Sequence, residues 1–178
     1  MKLAAWILKK AGWKFQTNIT LPTKCVIAIA PHTSNWDFIV GELAVRSVGM
    51  KARFLMKSTW FFFPLGYIMK AIGGIPVNRN KNTRVTDQVV QAFNMHDNLI
   101  VGVTPEGTRS RNENWRTGFL HIAQEAQVPL ALAYIDYSTH TVCIDRFYEI
   151  TGDYDADMAG IKQYFSKYKA KYPEKFAY

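Results

Sequence analysis

A histidine and an aspartate separated by four residues are the first candidates for chemistry in this chain of 178 residues. The segment HTSNWD places His32 directly after Pro31, which ends an apolar run, and Asp37 five residues further on. A histidine oriented by a carboxylate suits general-base catalysis, because the carboxylate fixes the tautomer and stabilises the imidazolium that forms. Ser34 and Asp37 fit helix capping equally well. Taken alone, the pair leaves both interpretations open.

Two further polar clusters follow apolar runs. In TPEGTRS, which follows LIVGV, Gly107 permits close approach to the backbone and Arg109 can bind a phosphate through two parallel hydrogen bonds. Glu106 in the same cluster can accept from a hydroxyl or hold an arginine, and a tight turn with a structural Glu–Arg pair is the alternative. The second cluster, GGIPVNRN, places Arg79 after a short strand-like piece, where an ordinary surface arginine would look the same.

Alternating strands and helices must position these clusters. Continuous apolar, β-branched runs predict buried strands, and apolar residues at spacings of three and four predict helices. We expect strands at 25–30, 52–56, 99–103, 128–135 and 141–150, and helices at 38–48, 83–95, 117–126 and 156–172. This pattern predicts a single-domain α/β fold with a mixed, mostly parallel sheet flanked by helices. Sites in such folds gather at the carboxyl ends of strands, where all three clusters lie.

The charge is unevenly distributed along the chain. The net charge is +8, and residues 1–86 hold thirteen Lys and Arg against Asp37 and Glu42, whereas residues 87–178 hold nine against twelve acids. The first half therefore favours an anionic partner, such as nucleic acid, a phosphorylated small molecule, an acidic protein or an anionic membrane surface. Ordinary apolar and charged fractions exclude disordered and collagen-like classes. Two cysteines far apart exclude a disulfide framework and fit a reducing compartment.

Residues 1–24 are predicted to form an amphipathic segment that precedes a domain at 25–178. Its apolar run of six residues is too short for a secretory signal or a bilayer span. As a helix, the segment places an apolar stripe beside Trp6, Trp13 and several lysines, as an interfacial membrane helix does. A helix packed on the core, with its lysines reaching water, fits equally well. The very apolar residues 60–69 likewise suit an acyl chain, a bilayer or a buried helix.

Together, the clusters resemble the motifs of the glycerolipid acyltransferase family, which includes the lysophosphatidate acyltransferases. That family shows an H-x4-D motif, a G-x-I-x-x-x-R block, an F-P-E-G-T-R-S block and a V-P stretch, in this order. The corresponding residues here are His32 with Asp37, Gly73 with Arg79, Pro105 to Ser110, and Val128 with Pro129. Arg116 and Gly118 also match the family in type. The resemblance covers residues 25–136.

The resemblance implies a glycerol-3-phosphate acyltransferase-like fold and an enzyme that acylates a lysophospholipid-type hydroxyl from acyl-CoA or acyl-carrier protein. His32, oriented by Asp37, would take the proton of the acceptor hydroxyl as that oxygen attacks the thioester, with no enzyme nucleophile. Backbone N–H groups near His32 are expected to hold the oxyanion. No metal and no cofactor besides the acyl donor are expected. The resemblance assigns substrate binding to Arg79, Glu106, Gly107, Thr108, Arg109 and Arg116.

The acceptor and the partners are expectations of the same kind. 1-Acyl-glycerol-3-phosphate is the default acceptor, but Pro31 and Thr104 depart from the family pattern, so another lipid alcohol, such as an acylated amino-acid lipid, stays open. The expected partners are an anionic membrane surface, the acyl donor and the lysophospholipid, without nucleic acid. The expected location is cytoplasmic, peripheral to the inner face of the cell membrane.

Two other function classes stay open. A non-catalytic module would use the basic half for nucleic acid or anionic lipid and would bind in a salt-sensitive way. A metal hydrolase would use His32 and Asp37 as ligands, although no second histidine stands at ligand spacing.

Overall fold

The computed structural model describes residues 2–78 and 84–178. Seven strands form one sheet in the order β1-β7-β6-β2-β5-β3-β4, and every neighbouring pair is parallel except β6 with β7. The predicted α/β fold with a mixed, mostly parallel sheet is confirmed. The strands are β1 (Lys14–Thr17), β2 (Lys24–Ala30), β3 (Ala52–Lys57), β4 (Gly74–Val77), β5 (Leu99–Val103), β6 (Leu130–Asp136) and β7 (Thr141–Tyr148). The helices are α1 (Lys2–Lys10), α2 (Asn35–Ser47), α3 (Leu65–Ala71), α4 (Val85–Met95), α5 (Gly118–Glu125) and α6 (Tyr154–Phe165).

The central strand β2 sets the arrangement of the functional edge. It lies between β5 and β6, with Ala28 opposite Val103 and Ala30 opposite Tyr134. Because these three strands run parallel, their carboxyl ends meet at one edge of the sheet. The chain segments that follow Ala30, Val103 and Asp136 therefore emerge side by side.

Helices cover both faces of the sheet, which explains why the central strands are continuous apolar runs. On one face, α1 and α2 pack over a cluster that includes Leu8, Val40, Ala44 and Val142. The other face carries the larger core, to which α4, α5 and α6 contribute side chains such as Phe93, Leu120 and Phe165. Full burial of one such side chain contributes about 2–3 kcal/mol to folding.

The N-terminal helix is shorter than the predicted stripe. It ends in a Schellman motif, in which Trp13 N–H donates to the Leu8 carbonyl at 3.0 Å and Gly12 N–H donates to the Lys9 carbonyl at 3.0 Å. Gly12 has a φ of 75°, which glycine adopts without steric cost. Trp13 is buried in the cluster that contains Leu8, so of the two interpretations of this segment, core packing is the one that holds for Trp13.

The next residues form the edge strand β1, which pairs with β7 and which the sequence analysis missed. The division of the chain at residue 24 stays a prediction, although β1 belongs to the same sheet as the rest. No helix formed by the residues that the structure describes is long and apolar enough to span a bilayer.

The last helix is also shorter than predicted. Apolar spacing pointed to a helix over 156–172, but α6 ends at Phe165. Beyond it, Lys169 N–H donates to Asp136 Oδ1 at 3.1 Å and Tyr172 N–H donates to Thr33 Oγ1 at 3.2 Å. Because these N–H groups donate to residues at the carboxyl ends of β6 and β2, the residues after α6 run along that edge of the sheet instead of continuing the helix.

Candidate active site

His32 and Asp37 lie together at the carboxyl edge of the sheet. Asp37 is the third residue of α2 and only 1% exposed, whereas the side chain of His32 is 18% exposed. His32 Nδ1 is 3.6 Å from Asp37 Oδ2, which is an ion-pair distance and too long for a hydrogen bond. Catalytic contacts of this kind are often long in the absence of substrate and tighten when it binds. With Nδ1 facing the carboxylate, Nε2 is the nitrogen left for a substrate.

Three donors fix the Asp37 carboxylate. Oδ2 accepts from Thr33 N–H at 2.7 Å and from Ser34 N–H at 2.8 Å, and Oδ1 accepts from the Tyr137 hydroxyl at 2.6 Å. Ser34 and Asp37 also form a capping box at the start of α2. Catalysis and capping were alternative interpretations of Asp37; the capping box is observed, and the contact with His32 keeps the catalytic role a prediction.

The hydrogen bonds decide the charge of Asp37. Burial alone would raise the pKa of this carboxyl, but the contacts with His32, Tyr137, Ser34 and Thr33 outweigh burial and hold the pKa below its ordinary value. Asp37 is therefore an anion at neutral pH. Burial and the bond to Asp37 raise the pKa of the Tyr137 phenol above its usual range, so Tyr137 remains a proton donor.

Glu106 reaches the same loop from the end of β5. It is 2% exposed, and its Oε1 accepts from His32 N–H at 2.6 Å. Burial raises the pKa of Glu106 to about 8; the bond from His32 N–H lowers it only in part, and the negative charge of Asp37 raises it further. At neutral pH one carboxyl at the loop is therefore ionised and the other is mostly protonated.

The backbone N–H groups expected to hold an oxyanion already donate hydrogen bonds to side-chain carboxyls. Those of Thr33 and Ser34 donate to Asp37, and that of His32 donates to Glu106. These three groups position the two carboxyls.

The other predicted substrate-binding residues lie on the exposed loop after Glu106. Gly107, Thr108, Arg109 and Arg116 are all exposed. Gly107 has a φ of 68°, and a Cβ at this position would come within 3.1 Å of Arg116 Cγ, so the two ends of the loop touch. The structure thus brings Arg116 to Gly107. Arg79 lies outside the described residues.

Asn112 holds this loop closed and was not among the predicted residues. Its Nδ2 donates to the carbonyl oxygens of Glu106 at 2.8 Å and Asn114 at 2.9 Å. Arg116 N–H donates to the Pro105 carbonyl at 2.7 Å, which joins the two ends of the loop. No pattern in the sequence distinguishes Asn112 from an ordinary loop asparagine.

Tyr137 and the C-terminal segment are the other residues that sequence reasoning missed. Tyr137 directly follows β6, so the rule that drew attention to strand ends also applies to it, but only pairing between β6 and β2 places it beside Asp37. Lys171 Nζ lies 5.5 Å from the ring centroid of Trp36 and 5.6 Å from that of Tyr137. Among the described residues, no group of three or more His, Cys, Asp or Glu could hold a metal ion.

Comparison with known proteins agrees with this geometry. The family model described as Acyltransferase matches residues 13–136. This is most of the chain, and the protein therefore belongs to the acyltransferase family. The crystal structure of the 1-acyl-sn-glycerophosphate (LPA) acyltransferase PlsC from Thermotoga maritima matches with a TM-score of 0.60. The match covers 96% of this chain and 80% of that chain at 16% sequence identity, so it shows a shared fold. No curated protein matches the sequence.

Proposed function

We propose that the protein is an O-acyltransferase that moves a fatty acyl group from an acyl thioester to a hydroxyl of a lysophospholipid-type acceptor. The donor is acyl-CoA or acyl-carrier protein, and 1-acyl-glycerol-3-phosphate is the first acceptor to test. The observation that carries the proposal is the fixed His32–Asp37 pair, in which three donors from two parts of the chain hold an ionised carboxylate beside a partly exposed imidazole.

The proposed reaction needs one base and no covalent enzyme intermediate. His32 Nε2 takes the proton of the acceptor hydroxyl while the oxygen of that hydroxyl attacks the thioester carbonyl carbon. The tetrahedral intermediate then collapses with cleavage of the C–S bond, and the leaving thiolate takes the proton from the imidazolium. Asp37 stabilises the imidazolium between these two steps, as an orienting carboxylate does in other histidine-dependent enzymes.

The loop after Glu106 is proposed to bind the acceptor. Arg109 and Arg116 are exposed cations on it, and arginine binds phosphate with two parallel hydrogen bonds. Gly107 and Thr108 would approach the same group, with Arg79 as a further cation. Glu106 was expected to contact the acceptor, but its carboxyl is buried and accepts from His32 N–H. Its geometry supports a role in positioning the histidine backbone.

The experiment that tests the reaction identifies its product. Purified protein is incubated with acyl-CoA or acyl-carrier protein and a panel of acceptors that includes 1-acyl-glycerol-3-phosphate and an acylated amino-acid lipid, and products are identified by mass spectrometry. We expect an ester of one acceptor, formed by the wild type and by His96→Ala, whose histidine is exposed on a loop, but not by His32→Ala. Failure to form an ester with any acceptor, or equal product from His32→Ala, would overturn the proposal.

A further inference from the structure

The chain after α6 crosses the carboxyl edge of the sheet beside the candidate active site. We call residues 166–178 the C-terminal segment. Tyr137 N–H, after β6, donates to the Lys169 carbonyl at 2.9 Å, and Trp115 Nε1, in the loop after β5, donates to the Ala177 carbonyl at 2.8 Å. Because β2 lies between these two strands, the segment also passes the end of β2. No family motif covers the segment, because the family model ends before it.

Two lysines of the C-terminal segment lie against aromatic rings. Lys171 Nζ is 5.5 Å, 5.6 Å and 5.9 Å from the ring centroids of Trp36, Tyr137 and Tyr172. Lys175 Nζ is 4.5 Å from the centroid of the Tyr172 ring, so two ammonium groups share one ring. An aromatic ring attracts a cation over its face, but it does not take up all three N–H donors of an ammonium group. The two groups therefore keep donors for a further ligand.

These two cations have no acidic partner. The C-terminal segment contains four lysines and one acidic side chain, Glu174. In the part of the chain that the structure describes, no carboxylate lies within ion-pair distance of Lys171 or Lys175. Like charges that share one ring repel each other, and an anion bound between them would be attracted by both. The pair therefore has the charge and the free donors of an anion site.

Contacts with the His32 loop hold Lys171 in place. Tyr137, whose ring Lys171 contacts, donates its hydroxyl to the proposed orienting carboxylate at 2.6 Å. Tyr172, the next residue along the chain, donates its N–H to Thr33 Oγ1 at 3.2 Å, and Thr33 directly follows the histidine. Lys171 is itself half-buried. A lysine that is already placed loses less side-chain entropy when a ligand binds, so this arrangement favours binding.

We propose that Lys171, assisted by Lys175, binds a phosphate group of a substrate beside His32. Lysine binds phosphate as a point charge with three donors. Because β2 lies between β5 and β6, this site and the proposed acceptor loop after β5 flank the histidine on opposite sides. The source of the phosphate rests on the proposed function: it belongs to the acyl donor, as in coenzyme A or the phosphopantetheine of a carrier protein, or to the lysophospholipid.

Titration calorimetry with the full-length protein tests the site without catalysis. Two pairs of probes differ in phosphate: coenzyme A with pantetheine, and 1-hexanoyl-glycerol-3-phosphate with 1-hexanoylglycerol. We expect at least one phosphorylated probe to bind about tenfold more tightly than its phosphate-free partner, because hydrogen bonds to charged groups are strong. The pair whose difference depends on Lys171 identifies the substrate that the site holds.

Variants of three lysines assign the binding to the site. Lys171→Gln removes the charge and should weaken binding of that phosphorylated probe about tenfold, whereas Lys171→Arg and Lys175→Gln should weaken it about threefold or less. Lys167→Gln should keep the wild-type affinity, because Lys167 is exposed in the same segment and contacts none of the described rings. Wild-type affinity of Lys171→Gln for both phosphorylated probes, or binding of neither probe by the wild type, would overturn the proposal.

A kinetic readout separates phosphate binding from a purely structural role. The value of kcat/KM for the phosphorylated substrate, divided by that for its phosphate-free analogue, should fall about tenfold in Lys171→Gln and keep its wild-type value in Lys167→Gln. Acyl-CoA and acyl-pantetheine serve for the donor, and the two hexanoyl compounds serve for the acceptor. If Lys171 only packed on the rings, its loss would lower both rates alike, and an unchanged ratio would overturn the proposal.

Failure of the site is distinguishable from failure of the proposed function. Binding of a phosphorylated probe that depends on Lys171, by a protein that forms no ester, would refute the function and leave the site. Ester formation with a wild-type ratio in Lys171→Gln would refute the site and leave the function. Urea denaturation checks the folding of each variant; if Lys171→Gln does not fold, wild-type affinity of Lys175→Gln would overturn the proposal.

Discussion

At the scale of single residues, Asp37 caps a helix and is also the residue proposed to orient the base. Its Oδ2 closes the capping box of α2 and faces His32, while its Oδ1 accepts from Tyr137. The carboxylate therefore cannot rotate without breaking a helix cap. The residue proposed to orient the base is in this way fixed by the start of the helix.

Removal of the Tyr137 hydroxyl should affect the rate more than substrate binding. Tyr137→Phe keeps the ring but removes one of three donors to Asp37, and hydrogen bonds to charged groups contribute about 1.5–3 kcal/mol. We expect kcat to fall about tenfold with KM unchanged. The control is Tyr148→Phe: the Tyr148 hydroxyl donates to Asp157 of α6, so its removal should not change kcat. Steady-state kinetics of the two variants would contradict this role if their kcat values were equal.

The raised pKa of Glu106 predicts how stability depends on pH. The folded state binds this proton more tightly than the unfolded state does, because the pKa rises from its ordinary 4.5 to about 8 on folding. The free energy of unfolding should therefore decrease as the pH rises from about 4.5 to about 8 and level off above it. The stability gained from Glu106 protonation is present at low pH and lost through this window.

Urea denaturation across the same window measures this effect. Glu106→Gln cannot ionise, so the part of the pH dependence that Glu106 causes should disappear in this variant. The opposing contribution of Asp37, whose pKa is lowered on folding, is present in both proteins and cancels in the comparison. Parallel pH curves for wild type and Glu106→Gln would mean that the buried carboxyl is not the cause.

At the scale of elements, the start of α2 is expected to link stability to the proposed catalysis. Ser34 Oγ accepts from Trp36 N–H at 3.1 Å, and the neighbouring N–H of Ser34 holds Asp37. Ser34→Ala should cost about 1 kcal/mol of unfolding free energy, as loss of a helix cap does. It should also lower kcat, because the loop between β2 and α2 that carries His32 becomes less firmly held.

Asp153→Ala is the matched control for this prediction. Asp153 caps α6 by accepting from Asp155 N–H and Ala156 N–H, both at 3.1 Å, and none of the proposed site residues lies on that helix. We expect a similar loss of stability by chemical denaturation and an unchanged kcat. A proportional loss of kcat in both variants would show that activity follows global stability and not the local cap.

The elements themselves were largely predictable, for a physical reason. Buried central strands are continuous apolar runs, and the strand predicted at 99–103 has the observed bounds of β5. The edge strand β1 has mostly exposed residues and no such run, so no pattern indicated it. The helical spacing that continues past Phe165 was misleading, because backbone bonds to distant residues end α6 there.

The site was predictable to the extent that it follows local motifs. His32 and Glu106 follow the ends of β2 and β5, and Asp37 lies at the start of the next helix, so the sequence pattern indicates all three positions. Tyr137 requires knowledge that β6 pairs with β2, and such pairing depends on the whole sheet. The family match ends at residue 136, so Tyr137 also follows the part of the chain that motifs describe.

At the scale of the whole molecule, the chain after the family match closes the structure around the site. Phe176 is buried against Trp115, whose Nε1 donates to the Ala177 carbonyl at 2.8 Å. Trp115 precedes Arg116 in the loop that holds the proposed acceptor-binding residues. The last residues therefore pack against Trp115 and stabilise that loop.

Phe176→Ala should accordingly destabilise the protein strongly. Truncation of a buried phenylalanine typically costs about 3–5 kcal/mol, and the cavity would lie against Trp115. The exposed neighbour Tyr178 supplies the control, because Tyr178→Ala should change the unfolding free energy by less than about 1 kcal/mol. Urea denaturation measures both, and equal effects would contradict the proposed packing role.

The charge asymmetry of the chain also belongs to this scale. The basic first half contains α1, α2 and the segment Ser58–Ala71, which hold most of the large exposed apolar residues that the structure describes, whereas α4, α5 and α6 contribute only Met95. The proposed base, His32, therefore lies in the basic half of the sequence, and the second half supplies the proposed acceptor loop and Tyr137, which donates to Asp37.

The most direct test of the proposed reaction is the rate of thiol release from an acyl thioester in the presence and absence of the acceptor. The wild type should release thiol only with acceptor, one thiol for each ester formed. His32→Ala should be slower by a factor of about 10² to 10⁴, the usual contribution of a general base, while His96→Ala keeps the wild-type rate. Thiol release by His32→Ala at the wild-type rate would contradict the assignment of His32 as the base.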